Sequence, residues 1–187
     1  MRIISGLWKG RRLRGPGRSG VMRPTTDRLR EAWMSAMGSL DGAMVLDLFS
    51  GSGALGLEAL SRGAEFAVFV ERSRRVLKIL ESNIALLGAR DQAVVVRDDV
   101  FKYLAGARGP FDVRLSSSPG PFDFAFADPP YGGREAQLVV ARYLERPFAS
   151  ELWIEHEQRS PLQLPRKART RTYGESALSV IVAEGMD

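Results

Sequence analysis

Four consecutive residues, Asp128-Pro129-Pro130-Tyr131, carry the most specific chemistry in this sequence. A carboxylate, a backbone carbonyl held by tandem prolines and an aromatic ring together suit methylation of an exocyclic base nitrogen. The lone pair of such an amine is delocalised into the base, so a catalyst must accept hydrogen bonds from its N–H groups and favour a pyramidal nitrogen. Asp128 and the carbonyl of Pro129 are the natural acceptors. Proline has no N–H and fixes φ, so Pro129 and Pro130 stiffen the loop and hold that carbonyl toward a substrate. Tyr131 can stack on the face of the base. By itself the tetrapeptide could equally be a proline turn with Asp as turn former; what stands upstream decides between the two.

Upstream stands Asp47-Leu48-Phe49-Ser50-Gly51-Ser52-Gly53-Ala54-Leu55-Gly56, a glycine loop that follows an apolar run and opens a helical one. Gly51 and Gly53 permit a tight turn and close approach of a ligand to the backbone, with Phe49 beside them. Twenty residues after Gly51 comes Glu71, placed to accept hydrogen bonds from both hydroxyls of a ribose. Dinucleotide enzymes share this spacing, so a NAD-dependent oxidoreductase is the rival reading of the loop. Asp47 weighs against it, because a carboxylate so close to the loop repels a pyrophosphate and attracts an ammonium or sulfonium. S-adenosylmethionine has both cations, a ribose and no phosphate. Asp98-Asp99-Val100 offers a carboxylate for the adenine amino group and a backbone N–H for the ring; Asp99 with Val100 is preferred, Asp98 being the alternative.

These residues need a parallel sheet to bring them together. From Ala43 onward, short apolar runs (43–49, 66–70, 93–96 and 122–127) alternate with helical patterns, the signature of repeated βα units. The helix over 73–87 puts Val76, Leu77, Leu80, Ile84 and Leu87 on one face, with Ser73 as its N-cap. Leu152-Trp153-Ile154 marks a further strand, and 169–173 and 177–183, joined by Gly174-Glu175-Ser176, read as a closing antiparallel hairpin. In a doubly wound sheet the fourth strand lies beside the first, so Asp128 falls next to the glycine loop. The first 40 residues read as two short β-like pieces, a glycine-rich loop over 15–20 and a helix over 26–37. Residues 106–121 form a second loop before the fourth strand.

The 187-residue length and 44% apolar content suffice for one domain with a full core. There is no cysteine and one histidine, His156, so disulfides, thiol catalysis and a zinc cluster lack ligands. His156 ends a strand with no second metal ligand near it and reads as structural; no metal is expected. The N-terminus is no signal peptide and no stretch is long enough to span a bilayer, so the expectation is a cytoplasmic protein. Of the net +5, residues 1–30 contribute nine Lys or Arg against one acid, Asp27, which leaves the remainder net acidic. Such asymmetry means either an end that meets a polyanion or a solvated tail.

With these motifs in place the chain resembles the RsmD-type 16S ribosomal RNA (guanine(966)-N2) methyltransferases of bacteria. The likeness rests on Arg2-Ile3-Ile4-Ser5-Gly6, Lys9-Gly10-Arg11-Arg12-Leu13, Arg23-Pro24-Thr25-Thr26-Asp27, Arg30-Glu31-Ala32, the run from Asp47 to Ala64, Asp128 to Tyr131 and Tyr173-Gly174. It implies a Rossmann-like α/β fold with a seven-stranded, mostly parallel sheet, an antiparallel C-terminal strand and a small N-terminal β-hairpin extension. Residues 1–40 would be the basic RNA-contacting extension and 41–187 the methyltransferase domain. S-adenosylmethionine would be the donor, and the acceptor a guanine of 16S ribosomal RNA within the small subunit or its assembly intermediates. No oligomer is implied, and a monomer is expected. Methyl transfer falls on Asp128, Pro129, Pro130 and Tyr131, and the donor site on Asp47, Gly51, Gly53, Glu71 and Asp99. Two departures stand out: Ser5 replaces the family's usual glycine, and the 106–121 loop is longer than usual.

The resemblance also gives the basic extension a role. Arg11, Arg12, Arg23 and Arg28 suit phosphate contacts, and Thr25 and Thr26 offer hydroxyls near the active site. Trp8 and Trp33 serve either base stacking or, as aromatics in a hairpin and helix more often do, the core. Arg166, Lys167, Arg169 and Arg171 either extend the basic face or decorate a solvated strand edge. The nearest competing activity is adenine-N6 methylation of DNA or RNA, since the tetrapeptide serves any aromatic amine. Enzymes that read DNA usually carry a separate sequence-reading domain, whereas about 40 residues precede this sheet, which favours recognition of folded RNA by shape.

Overall fold

The computed structural model describes residues 1–15, 27–106 and 122–183, with residues 27–29 described in backbone only. The elements are α1 (Asp27–Ala36), β1 (Met44–Leu48), α2 (Ala54–Ser61), β2 (Phe66–Val70), α3 (Arg74–Leu87), β3 (Ala93–Val96), α4 (Val100–Ala105), β4 (Phe122–Ala127), α5 (Glu135–Glu145), β5 (Ala149–Glu157), β6 (Arg169–Tyr173) and β7 (Ser176–Val182). Seven strands form one sheet in the order β3-β2-β1-β4-β5-β7-β6. All pairs from β3 to β5 are parallel, and β7 runs antiparallel to both β5 and β6. This is the Rossmann-like sheet with a reversed C-terminal strand that the alternating pattern predicts, and β1 pairs with β4 as strand counting requires.

Three of the apolar runs become the central strands β1, β2 and β4, because both faces of the sheet are covered there, which makes near-continuous Val, Leu, Phe and Ala favourable; the fourth, β3, is the half-buried border strand. One face packs Val45, Phe69, Phe126, Trp153 and Leu178 against α1, α2 and α3; the other packs Leu46, Val68, Ala125, Leu152 and Ile181 against α5. Trp33 is fully buried and meets Phe126 edge to face at 6.1 Å, and Trp8 is also buried. Both tryptophans are therefore core residues, and neither is available for stacking on a base. His156 lies inside the β5–β7 pair, its Nε2 2.9 Å from Ser179 Oγ, and burial lowers its pKa. Ser73 occupies the N-cap position of α3, but its side chain makes no capping bond.

The N-terminal segment is a short antiparallel hairpin: Arg2 bridges Arg12, and Ile3 N–H to the carbonyl of Arg11 (2.9 Å), Gly10 N–H to that of Ile3 (2.9 Å) and Leu13 N–H to that of Met1 (3.2 Å) join its two arms. The carboxylate of Glu58, fully buried in α2, accepts from the backbone N–H groups of Ile4 (2.8 Å) and Ser5 (2.9 Å) and from Arg62 Nε. Buried Arg30 lies 3.9 Å from Glu58 and donates to the carbonyl of Arg2. Ser61 Oγ accepts from Trp8 N–H and donates to the carbonyl of Ser5. Ile3, Trp8 and Leu13 enter the same core as the sheet face above them. No helix among the described residues is long and apolar enough to cross a membrane.

Candidate functional site

The C-terminal ends of β1, β2 and β4 meet at one edge of the sheet, and the predicted donor residues gather there. Asp47 is buried and its Oδ2 accepts from Gly56 N–H at 2.9 Å, which ties the strand end to the first turn of α2. Gly56 is required at this crossing: a Cβ would run into the Phe69 ring and come within 3.1 Å of the Asp47 carboxylate. Burial lifts the pKa of Asp47 to about 7, partly opposed by the Gly56 N–H and reinforced by the charge of Glu71. A cation placed beside it would restore the ionised form.

Between β1 and α2, Gly51 and Gly53 take the left-handed φ values of 55° and 82° that the turn demands. Phe49 is also left-handed, at φ 56°, a conformation that costs a bulky side chain about 1–3 kcal/mol. Its ring meets Phe101 of α4 edge to face at 6.2 Å, which joins the loop after β1 to the helix after β3. Glu71, at the end of β2, accepts from Gly51 N–H (3.2 Å) and Ser73 N–H (2.7 Å), one on each oxygen. Its carboxylate is thereby fixed with lone pairs to spare. Ser50 Oγ is buried in the same loop with no hydrogen-bond partner among the described residues, a hydroxyl positioned to bond a ligand.

Asp99 is the N-cap of α4, with Oδ1 accepting from Phe101 and Lys102 N–H; Oδ2 lies 3.9 Å from the exposed Arg72. Asp98 instead turns back to accept from Asp99 N–H. Val100 begins the helix, so its N–H is among those with no intrahelical acceptor. The buried carboxylates of Asp47 and Glu71, the half-buried one of Asp99, an orphaned hydroxyl and a free helix N–H around a glycine loop fit a polar, cationic, phosphate-free nucleoside.

Asp128 to Tyr131 leave β4 directly beside this loop, because Leu48 pairs with Ala127. Pro129 is buried, Pro130 exposed, and Asp128 and Tyr131 half-buried. Tyr131 Oη lies 2.6 Å from both Glu155 Oε1 and Ser176 Oγ, and Ser176 also donates to Glu155. Burial, then the hydrogen bond to Glu155, push the Tyr131 phenol well up, so the ring is held neutral. A cleft of about 170 Å³ opens beside the tetrapeptide, between Pro129–Tyr131 on one side and Glu155, Glu157 and Pro161 on the other. Glu155 and Ser176 were missed by sequence reasoning. The available signal was an acid at the end of an otherwise apolar strand. Of the predicted nucleic-acid contacts, Arg11 and Arg12 are exposed, whereas Arg23, Thr25 and Thr26 and the side chain of Arg28 lie outside the described residues, as does most of the 106–121 loop. Among the described residues no group of three or more His, Asp or Glu could hold a metal ion.

Fold and site together define an S-adenosylmethionine-dependent methyltransferase of the Rossmann-like class. Within that class the chain belongs to the family described as Conserved hypothetical protein 95, the RsmD type, whose model matches residues 1–182. It is 32% identical over 195 residues to the putative rRNA methyltransferase YlbH of Bacillus subtilis, covering 99% of this chain and all of that protein. It is 41% identical over 134 residues to ribosomal RNA small subunit methyltransferase D of Escherichia coli K12, covering 70% of this chain and 60% of that protein. Among solved structures, a putative methyltransferase, yhhF, from Escherichia coli superposes with a TM-score of 0.74 at 33% identity, covering 96% of each chain.

Proposed function

We propose that this protein transfers a methyl group to N2 of a guanine in 16S ribosomal RNA, acting in the cytoplasm on the small ribosomal subunit or its assembly intermediates. The observation that carries the chemistry is the position of Asp128-Pro129-Pro130-Tyr131 beside the glycine loop, with Tyr131 pinned by Glu155 and Ser176. The RNA substrate is supported by the relatives' names and by the basic N-terminal residues.

The donor would be held by Asp47 near its amino group, Glu71 on the ribose, Asp99 and the Val100 N–H on the adenine, and Phe49, Gly51 and Gly53 shaping the loop. Bound there, S-adenosylmethionine supplies an electrophilic methyl group. Asp128 and the carbonyl of Pro129 would accept hydrogen bonds from the exocyclic N–H groups, localising the nitrogen lone pair as the N–C bond forms and the C–S bond breaks; the proton that the methylated nitrogen then sheds would pass to the Asp128 carboxylate or to solvent. Pro130 keeps the loop stiff. Tyr131 holds the base flat, and its neutral phenol takes no proton. Orientation of the two reactants then supplies much of the rate. Residues 1–40 act as the RNA-contacting extension, with Arg11, Arg12, Arg23 and Arg28 on phosphates and Thr25 and Thr26 near the base.

Incubation with labelled S-adenosylmethionine and small subunits lacking the modification, naked ribosomal RNA or DNA tests this reading. Label is expected in the ribosomal RNA of the subunits. An Asp128→Ala variant that methylates them undiminished would remove the assignment of the chemistry.

A further inference from the structure

We propose that β6 is a second RNA-binding edge, a track for the phosphate backbone of the strand that enters the active site; this rests on the RNA-methylating reading above. β6 pairs only with β7 and so forms one border of the sheet. Its sequence is Arg169-Thr170-Arg171-Thr172-Tyr173, and strand alternation puts Arg169, Arg171 and Tyr173 on one face. That face is fixed by register: Arg169 stands opposite Val180 and Arg171 opposite Leu178, which belong to the core that buries Trp33, Ile3 and Trp8. The two arginines thus share a sheet face with the basic N-terminal segment.

The direction of the strand links this edge to the site. Tyr173 pairs with Ser176, whose Oγ lies 2.6 Å from Tyr131 Oη. From Arg169 through Arg171 to Tyr173 the strand therefore runs toward the tetrapeptide. Residues two apart in a strand repeat every ~7 Å, a step comparable to that between successive phosphates of an extended nucleic-acid strand. Arg166 and Lys167 continue the positive charge before the strand begins. All four cations are exposed, and among the described residues none forms an ion pair or side-chain hydrogen bond. The acid nearest in sequence, Glu175, sits beyond Tyr173 in the turn. Guanidinium groups are suited to phosphate because they donate in a planar fork.

Charged residues on an edge strand have another use, which is to block edge-to-edge association. The two uses separate experimentally. Full-length wild type, Arg169→Ala/Arg171→Ala and Arg169→Lys/Arg171→Lys are compared for methylation of small subunits and for binding of a single-stranded RNA oligomer across a salt series. The track predicts a KM for subunits raised about tenfold or more in the alanine variant, with kcat within about twofold. It also predicts a log–log salt slope shallower by about 1.4 for two lost phosphate contacts on a single strand, both largely restored by lysine. Unchanged KM and salt slope, or self-association of the alanine variant with both unchanged, would overturn the proposal. Should the wild type methylate no ribosomal RNA, the function reading fails by itself, and the oligomer salt slopes still decide whether β6 binds RNA.

Discussion

The phenol of Tyr131 and the carboxylate of Glu155 share a 2.6 Å hydrogen bond that joins the loop after β4 to the end of β5. Because Ser176 bonds both groups, the ring cannot rotate away from the cleft without breaking a three-membered network. Tyr131→Phe keeps the ring and removes one of the two hydroxyl donors, Tyr131 and Ser176, on a buried carboxylate, so stability should fall by about 1–3 kcal/mol and kcat/KM by several-fold. Tyr131→Ala, which also removes the stacking surface, should cost substantially more activity than Tyr131→Phe. Thermal unfolding and steady-state methylation of the two variants measure the difference; equal activity losses would mean the ring itself contributes nothing.

Asp47 makes donor binding pH-dependent. Its folded pKa, raised from 3.8 to about 7, means the folded chain keeps a proton that the unfolded chain has lost between those values. The stability linked to this group is fully present below about 3.8 and is lost as pH rises through about 7. A ligand ammonium favours the ionised form, so affinity for S-adenosylhomocysteine should rise with pH toward 7, by up to about tenfold per unit, and level off above. Calorimetric titration from pH 5.5 to 8 should show this slope in wild type and a flat profile in Asp47→Asn; parallel profiles would contradict it.

Glu58 holds the N-terminal segment to the catalytic sheet. Truncating a buried, multiply bonded charge costs about 3–5 kcal/mol, so Glu58→Ala should unfold at markedly lower denaturant concentration. Glu58→Gln, which retains an acceptor, should be milder. Hydrogen exchange at Ile4 and Ser5 N–H, both bonded to Glu58, should accelerate first. Unchanged exchange at these two amides in Glu58→Ala would show that the carboxylate does not anchor them.

Asn83 connects the extension to the donor loop. Fully buried in α3, it accepts from Arg14 N–H (2.8 Å) and donates to the carbonyls of Arg14 (3.0 Å) and Ser52 (2.9 Å). Asn83→Ala should weaken S-adenosylhomocysteine binding several-fold and also expose residues near Arg14 to limited proteolysis. Loss of one effect without the other would show that the two segments are held independently.

How much of this was legible in the sequence depends on the range of the interaction. Strands 66–70, 93–96 and 122–127 have the bounds their apolar runs suggest; in 66–70 and 122–127 burial on both faces selects such residues, whereas 93–96, at the sheet border, is only half-buried. Asp47, Gly51, Gly53 and Glu71 converge because a βαβ crossover fixes where strand ends go. The partners of Tyr131 were hidden, since Glu155 and Ser176 reach it only through the register of β5 with β7. The N-terminal pieces suggested the short hairpin that forms, whereas its attachment to α2 through Glu58 and Ser61 joins residues more than 50 apart and has no local sequence sign. Phe49 shows no sequence sign of its left-handed backbone, a strain imposed by the turn around it.

The central claim is that the tetrapeptide acts on a guanine amino group of ribosomal RNA, and the identity of the methylated nucleoside tests it most directly. Small subunits lacking the modification are incubated with the wild-type protein and labelled S-adenosylmethionine, and their ribosomal RNA is digested and resolved by mass. The account predicts label in N2-methylguanosine. Label in N6-methyladenosine, or in DNA rather than in the subunits, would contradict it.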